Sequence, residues 1–220
     1  MAVTFEEIKN NKAIQTYITR ADESLAALGY TEHSFPHVMR VCQNAVYILK
    51  TLEYDEHEIE LVKIAGYMHD IGNLVNRVDH SQSGAVMAFR ILDKLGMDAD
   101  DIAKIVSTIG NHDEGTGVPI NAMAAALILA DKSDVRRSRV RNTDISSFDI
   151  HDRVNYSVKT SQLVIDDERK NIVLTLEIDP NFSSVMDYFE IFLNRMILCR
   201  KAAEKLNLRF KLVINGQQLI

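Results

Sequence analysis

The chain has 220 residues, 46% apolar and 25% charged, with a net charge of −6 and a sequence pI near 5.6; it can bury a sizeable core without staples. The acidic balance argues against a broad nucleic-acid surface or a membrane footprint, and no apolar run is long enough to span a bilayer. Two cysteines, Cys42 and Cys199, form no disulfide framework, and without a signal-peptide pattern they fit a reducing cytoplasm.

The first three quarters read as a run of helices. Thr4 to Glu7 has the form of a capping box, so a short helix starts at Phe5. A second runs from about Asn11 to Leu28, with Gly29 as its stop. A third covers Pro36 to Leu52, with Val38, Val41, Cys42, Ala45, Ile48 and Leu49 as its apolar stripe. Asp55 and Glu58 open a fourth, which ends near His69-Asp70 before Gly72. A fifth runs from His80 to Leu95, closed by Gly96, and a sixth from Asp98 and Asp101 to Gly110-Asn111-His112. Gly115 and Gly117 mark a loop. Pro119 suits the first turn of a seventh helix, rich in Ala and Leu, that reaches Asp131.

The pattern changes after about Asp149. Leu163 to Ile165 and Ile172 to Ile178 read as two strands around a polar turn over 166–171. Val185, Phe189, Phe192, Met196, Cys199, Ala203 and Leu206 recur at spacings of four and three, an amphipathic helix. Phe210, Leu212 and Ile214 suggest a last strand. The expected fold is therefore mainly α: a helical bundle over residues 1–148 and a small strand–strand–helix–strand unit over 149–220 packed on it. That unit would cover a site on the bundle or form a homodimer.

Six candidate metal ligands stand at or near helix ends. His37 lies in the first turn of its helix, and His69 and Asp70 end the fourth. His80 opens the fifth, His112 ends the sixth and Asp131 ends the seventh. Such ends can converge on one mouth of a bundle. Neighbouring helical residues diverge by about 100°, so His69 and Asp70 share an ion only if it sits beside the helix terminus. Neutral imidazole suits Zn, Fe, Ni or Cu, and carboxylates extend the choice toward Mn. Six ligands exceed the four of a closed zinc site. With Asp70 bridging they suit two ions, a pairing that activates water and clamps phosphate-ester oxygens. The expected cofactor is one or two divalent transition-metal ions, Fe or Mn favoured, with Zn, Ni or Co open.

The stretches His37-Val-Met-Arg-Val41, Tyr67-Met-His-Asp-Ile-Gly72, His80-Ser-Gln-Ser-Gly-Ala85, Asn111-His-Asp113 and Ala130-Asp-Lys-Ser-Asp134 resemble, in order and helix context, the HD-domain superfamily of metal-dependent phosphohydrolases. The resemblance spans roughly residues 35–135 and implies an all-helical catalytic core. His37, His69, Asp70 and Asp131 would be the basic metal set, with His80 and His112 at the extra positions of two-metal members. His33 competes with His37 for the first role, but Arg40 and Val41 follow His37 in the resembling register. Many members carry Lys where this chain has Asn73, and Arg77 or Lys132 would supply that charge. His112 to Pro119 echoes the cyclic-dinucleotide branch, with Asn111 in place of a paired histidine and Val118 in place of a tyrosine.

The resulting expectation is a cytoplasmic hydrolase acting on a small-molecule phosphate ester or nucleotide. Asp70 bridges the ions and accepts a proton, and Lys132 or an arginine of the 136–141 run steadies the leaving phosphate. The alternatives are a di-iron oxygenase on the same scaffold and a non-enzymatic sensory or binding module that keeps the metal. His33, His57 and His151 read as surface or hydrogen-bonded residues, and Asp134 as a helix cap, with a carboxylate that orients a ligating histidine as the functional reading. Arg136, Arg137, Arg139 and Arg141 read as a solvated or salt-bridged loop, with phosphate recognition as the functional reading.

Overall fold

The computed structural model describes residues 3–220. Among these, eight α-helices precede a four-stranded sheet into which a ninth is inserted: α1 Phe5–Asn10, α2 Lys12–Ala27, α3 Phe35–Thr51, α4 Glu56–Met68, α5 His80–Lys94, α6 Ala99–Gly110, α7 Ala122–Lys132, α8 Ile150–Ser157, β1 Val158–Ile165, β2 Asn171–Ile178, α9 Val185–Lys205, β3 Arg209–Ile214 and β4 Gln217–Gln218. No helix of the described residues is long and apolar enough to cross a membrane.

Side-chain caps set the helix starts. Thr4 closes a reciprocal capping box with Glu7, and Asn11, Asp55 and Asp98 accept from the first-turn amides of α2, α4 and α6. α7 begins later than Pro119 suggests: the Asn121 side chain takes the Ala124 amide, so the helix starts after Asn121. Every residue of α7 from Met123 to Ala130 is buried. That explains its all-round apolar sequence, because it packs against α3, α6 and α9 with no face left for water.

The sheet has the order β1-β2-β3-β4. β1 and β2 pair antiparallel, β2 and β3 pair parallel across α9, and β3 and β4 pair antiparallel. Ile172, Leu174, Leu176 and Ile178 of β2, with Phe210, Leu212 and Ile214 of β3, turn to one buried side. α9 packs on the sheet there, and it packs on α7 as well. Tyr188, Phe192, Met196, Cys199 and Ala203 are its buried stripe, and one apolar cluster runs from Phe5 to Ile214.

Three features differ from the sequence expectation. α8 is an additional helix, started by the Asp149 carboxylate on the Asp152 amide. β1 begins at Val158, five residues before the apolar run, because its first half (Lys159, Thr160, Gln162) is polar and exposed. The short β4 adds an edge strand where only a turn is legible.

Candidate metal centre

The six candidate ligands meet at one end of the helical bundle. His37 sits in the first turn of α3. His69 caps α4, and Asp70 follows outside helical geometry at φ −97° and ψ 1°. That break lets both side chains face one centre beyond the helix end. His80 is the first residue of α5, His112 follows α6 and Asp131 lies in the last turn of α7. The four imidazoles are buried, and Asp70 is 6% exposed.

Every histidine donates through Nδ1 and keeps Nε2 for the centre. His69 Nδ1 donates to Gly66 O at 2.8 Å, His80 Nδ1 to Arg77 O at 3.0 Å and His112 Nδ1 to Ile109 O at 2.6 Å. His37 Nδ1 donates to Asp134 Oδ2 at 2.8 Å. Backing of this kind fixes the tautomer that leaves Nε2 as a metal-binding lone pair. His37 Nε2 lies 3.4 Å from Asp131 Oδ1 and 3.6 Å from Asp70 Oδ2. His69 Nε2 lies 3.2 Å from Asp70 Oδ2 and 3.8 Å from Asp131 Oδ1. On the other side, Asp70 Oδ1 lies 3.5 Å from His80 Nε2 and 3.9 Å from His112 Nε2. The two Asp70 oxygens thus face different histidine pairs.

These residues fit a divalent metal. His37 Nε2 and His69 Nε2 are buried without a hydrogen-bond partner, which is costly for a polar atom unless something else binds it. His80 Nε2 and His112 Nε2 face each other at 3.2 Å. An ion with bonds of about 2.0–2.2 Å holds neighbouring donors roughly 3–3.5 Å apart. Three overlapping groups satisfy ligand spacing: His37, His69 and Asp70; His69, His112 and Asp131; Asp70, His80 and His112.

Charge at the centre favours a cation. Burial and Arg139 work against a proton on His37, but Asp131, Asp134 and Asp70 outweigh them and raise its pKa to about 10. Burial, then the neighbouring His69 and Lys132, hold His112 well below the usual histidine range. A metal entering the site must displace the His37 proton. Affinity should therefore rise with pH, roughly tenfold per unit for one proton displaced, until His37 is neutral near pH 10. In the metal-free protein the sign reverses. The His37 proton stabilises the fold fully below its ordinary pKa of 6.5, and that contribution is lost as pH rises through about 10. Chelator competition across pH, and urea unfolding of metal-free protein at both ends of that window, check the two signs.

Of the two readings the sequence offers for Asp134, the structure favours the acceptor behind a ligand over the cap. Asp134 is not a helix cap; Ser133 ends α7. Instead Asp134 carries His37 on Oδ2, while Oδ1 binds Arg136 Nε at 2.9 Å and lies 3.1 Å from Arg40 Nε. Its spacing of one turn beyond Asp131 is the signal that could have found it. Asn73, in the position of the expected lysine, donates from Nδ2 to Asp70 O at 2.9 Å and to Asp70 Oδ1 at 3.0 Å. The Asp134→Asn variant should weaken metal binding about 10- to 100-fold, read by chelator competition. Unchanged affinity would show that the carboxylate does not support His37.

The remaining expected residues also have defined places. Lys132 is buried, with Nζ at 2.7 Å from both Asp131 Oδ2 and Glu114 Oε2. Glu114 in turn binds Arg195 Nε of α9 at 2.9 Å. Arg77 lies beside His80, its Nη1 3.4 Å from His80 Nε2, and stands over the Tyr30 ring. Among the described residues no carboxylate comes within ion-pair distance of Arg77. The 136–141 arginines form ion pairs and backbone contacts: Arg136 with Glu32 and Asp134, Arg139 with Glu32 O and Asp134 O, Arg141 with Asp22. His33 donates to Thr31 O and packs edge-on against His37, and His57 pairs with Asp101 at the surface.

A cavity of about 480 Å³ adjoins the centre, and its lining includes Tyr30, His33, Arg77, Arg139, Phe192 and Arg195. His151 and Asn155 of α8 line it too, so the C-terminal elements complete its wall.

Comparisons with known proteins bear on this arrangement. An uncharacterized protein of Methanocaldococcus jannaschii, MJ1020, is 24% identical over 188 residues, covering 75% of this chain and 72% of that protein. A solved structure described as a predicted HD superfamily hydrolase, from an uncultured Thermotogales bacterium, matches with a TM-score of 0.45 and 25% identity over 57% of this chain and 68% of its own. The model of the HD domain family matches residues 35–149, just over half of the chain and the stretch that supplies all six candidate ligands, and the chain belongs to that family.

Proposed function

We propose that the protein is a metal-dependent phosphohydrolase that cleaves a phosphate ester of a nucleotide or related small molecule. The observation that carries this reading is the convergence of four Nδ1-anchored imidazoles with Asp70 and Asp131 beside a cavity lined by three arginines. His37, His69, Asp70 and Asp131 would hold one ion, and His80, His112 and the second oxygen of Asp70 another. A bound divalent ion supplies Lewis acidity and lowers the pKa of a coordinated water toward neutrality.

The chain's own residues do the rest. Asp70 is placed to receive the proton of the attacking water, and Asn73 fixes its carboxylate. Lys132 holds Asp131 and, through Glu114, ties α9 to the centre. Arg77, free of carboxylates, is the cation for the substrate phosphate, since a guanidinium fork matches phosphate oxygens. Tyr30, exposed in the lining, gives the cavity an aromatic ring suited to a base.

The test is a screen of phosphate esters with Mn- or Fe-loaded protein, with and without dioxygen. Turnover that releases phosphate without dioxygen supports the reading. Turnover that requires dioxygen, or none across nucleotides and sugar phosphates, overturns it. The Arg77→Ala variant should raise KM about 10- to 100-fold, the loss of one charged hydrogen bond, with metal content unchanged. A KM equal to wild type would remove Arg77 from the substrate site.

A further inference from the structure

A second cavity, of about 450 Å³, opens where α3, the loop after α7 and β1 meet. Its lining is Arg40, Arg136, Arg137, Ser138, Lys159, Thr160 and Ser161. Four of the seven residues are cationic, three bear hydroxyls, and none is acidic or apolar. None of them lines the cavity beside the metal ligands.

The cations are not fully spent on internal partners. Arg137 has no carboxylate within ion-pair distance among the described residues. Its Nε donates to Tyr156 O at 2.6 Å, its guanidinium stacks over Tyr156, and its buried Nη2 has no hydrogen-bond partner. Arg40 Nη2 donates to Ser161 O, while its buried Nε makes no well-directed hydrogen bond. Lys159 reaches only Asp179, at 3.4 Å. Arg40 and Arg136 both lean on one oxygen of Asp134. Arg137 Nη2 is therefore a buried guanidinium nitrogen without a partner, which is unfavourable, and an oxyanion in the cavity that Arg137 lines would supply one.

We propose that this cavity binds a phosphate group as a regulatory site, separate from the metal centre and joined to it through Asp134. The lining offers charge and hydroxyls but no aromatic or aliphatic wall, so it fits the phosphate itself rather than an organic moiety. Guanidinium forks and hydroxyl donors are the groups that recognise such oxygens. The joining element is a single carboxylate. Its Oδ1 carries Arg40 and Arg136, and its Oδ2 carries His37. An anion that draws the two arginines away leaves Asp134 more negative toward His37. His37 then becomes a stronger donor, and the added negative charge favours a cation nearby. Phosphate therefore tightens metal binding, and by reciprocity metal tightens phosphate. This coupling rests on the reading of His37 as a metal ligand; the anion site does not.

The experiment is calorimetric titration of metal-free protein with inorganic phosphate and with a nucleoside monophosphate, for wild type, Arg77→Ala, Lys159→Ala and Arg137→Ala. We expect saturable binding in wild type and in Arg77→Ala, weakened about five- to tenfold in each of the other two. Lys159 is a surface side chain, so its variant tests the site even if Arg137→Ala loosens the ring stack and fails to fold. In the Arg77→Ala background, tighter binding of the nucleotide identifies an ester as the source, and tighter binding of inorganic phosphate identifies the free ion. Binding lost in Arg77→Ala but intact in Lys159→Ala overturns the proposal and places phosphate at the metal-side cavity, as does the absence of binding in wild type. Manganese affinity measured with and without saturating phosphate should rise roughly fivefold. No change would overturn the coupling.

Discussion

Replacing Asp70 by Ala should remove bound metal and turnover together. Asp70 is the only candidate ligand whose two oxygens face both histidine pairs, at 3.2–3.6 Å on one side and 3.5–3.9 Å on the other. Losing it takes a donor from each pair and the proposed proton acceptor with them. Turnover should fall by on the order of 10³-fold or more, and metal content by elemental analysis should fall toward zero. Asp70→Asn separates the roles: it keeps the shape and one neutral oxygen, so it should retain more metal than Asp70→Ala while turnover is still lost. A His80→Ala variant should lose about half of the metal if two ions are held. Full activity in Asp70→Ala would sink the site assignment, whereas an unchanged metal count in His80→Ala would leave a single-ion centre.

Gly72→Ala should be the most destabilising glycine-to-alanine change among the described residues. A Cβ at Gly72 would sit 1.9 Å from His80 O and 2.4 Å from Gly84 N, both backbone atoms, and 2.7 Å from Ser83 Oγ. Backbone cannot swing aside like a side chain, so the turn after Asp70 and the first turns of α5 must separate. Overpacking of this kind costs about 3 kcal/mol, which lowers the melting temperature of a chain this size by roughly 6–12 °C. The same displacement moves His80 away from Asp70 and His112. The variant should therefore also lose metal affinity, out of proportion to a change that touches no ligand side chain. A melting temperature within a degree or two of wild type would show that the two segments are not tightly packed in solution.

Much of the site was legible because its signals are local. A histidine or aspartate at a helix end is marked by the caps and glycines around it, and the ligand types carry their own chemistry. His37, His69, Asp70, His80, His112 and Asp131 could be named, and the structure brings all six to one mouth. Asp134 carried only its spacing of one turn beyond Asp131, and Arg195 no mark at all. Asp134 is recognised by what it holds, His37, 97 positions away. Arg195 sits beside an apolar stripe that reads only as core, and its partner Glu114 is 81 positions away.

The sequence by itself determined α1 to α6, α9, the order of the ligands and the apolar alternation of β2 and β3, since each follows from periodicity and capping within a few residues; α8, the start of α7, the first half of β1 and β4 were left to the structure. Tertiary structure alone decided which nitrogen each histidine presents, because that depends on the acceptor brought against the other one. It decided the use of Gly72, because only the approach of α5 forbids a side chain there. It also decided that the tail closes the metal-side cavity and walls a second, cationic one. Both cavities lie between elements distant in sequence, and no local pattern records which charges will share an enclosed space.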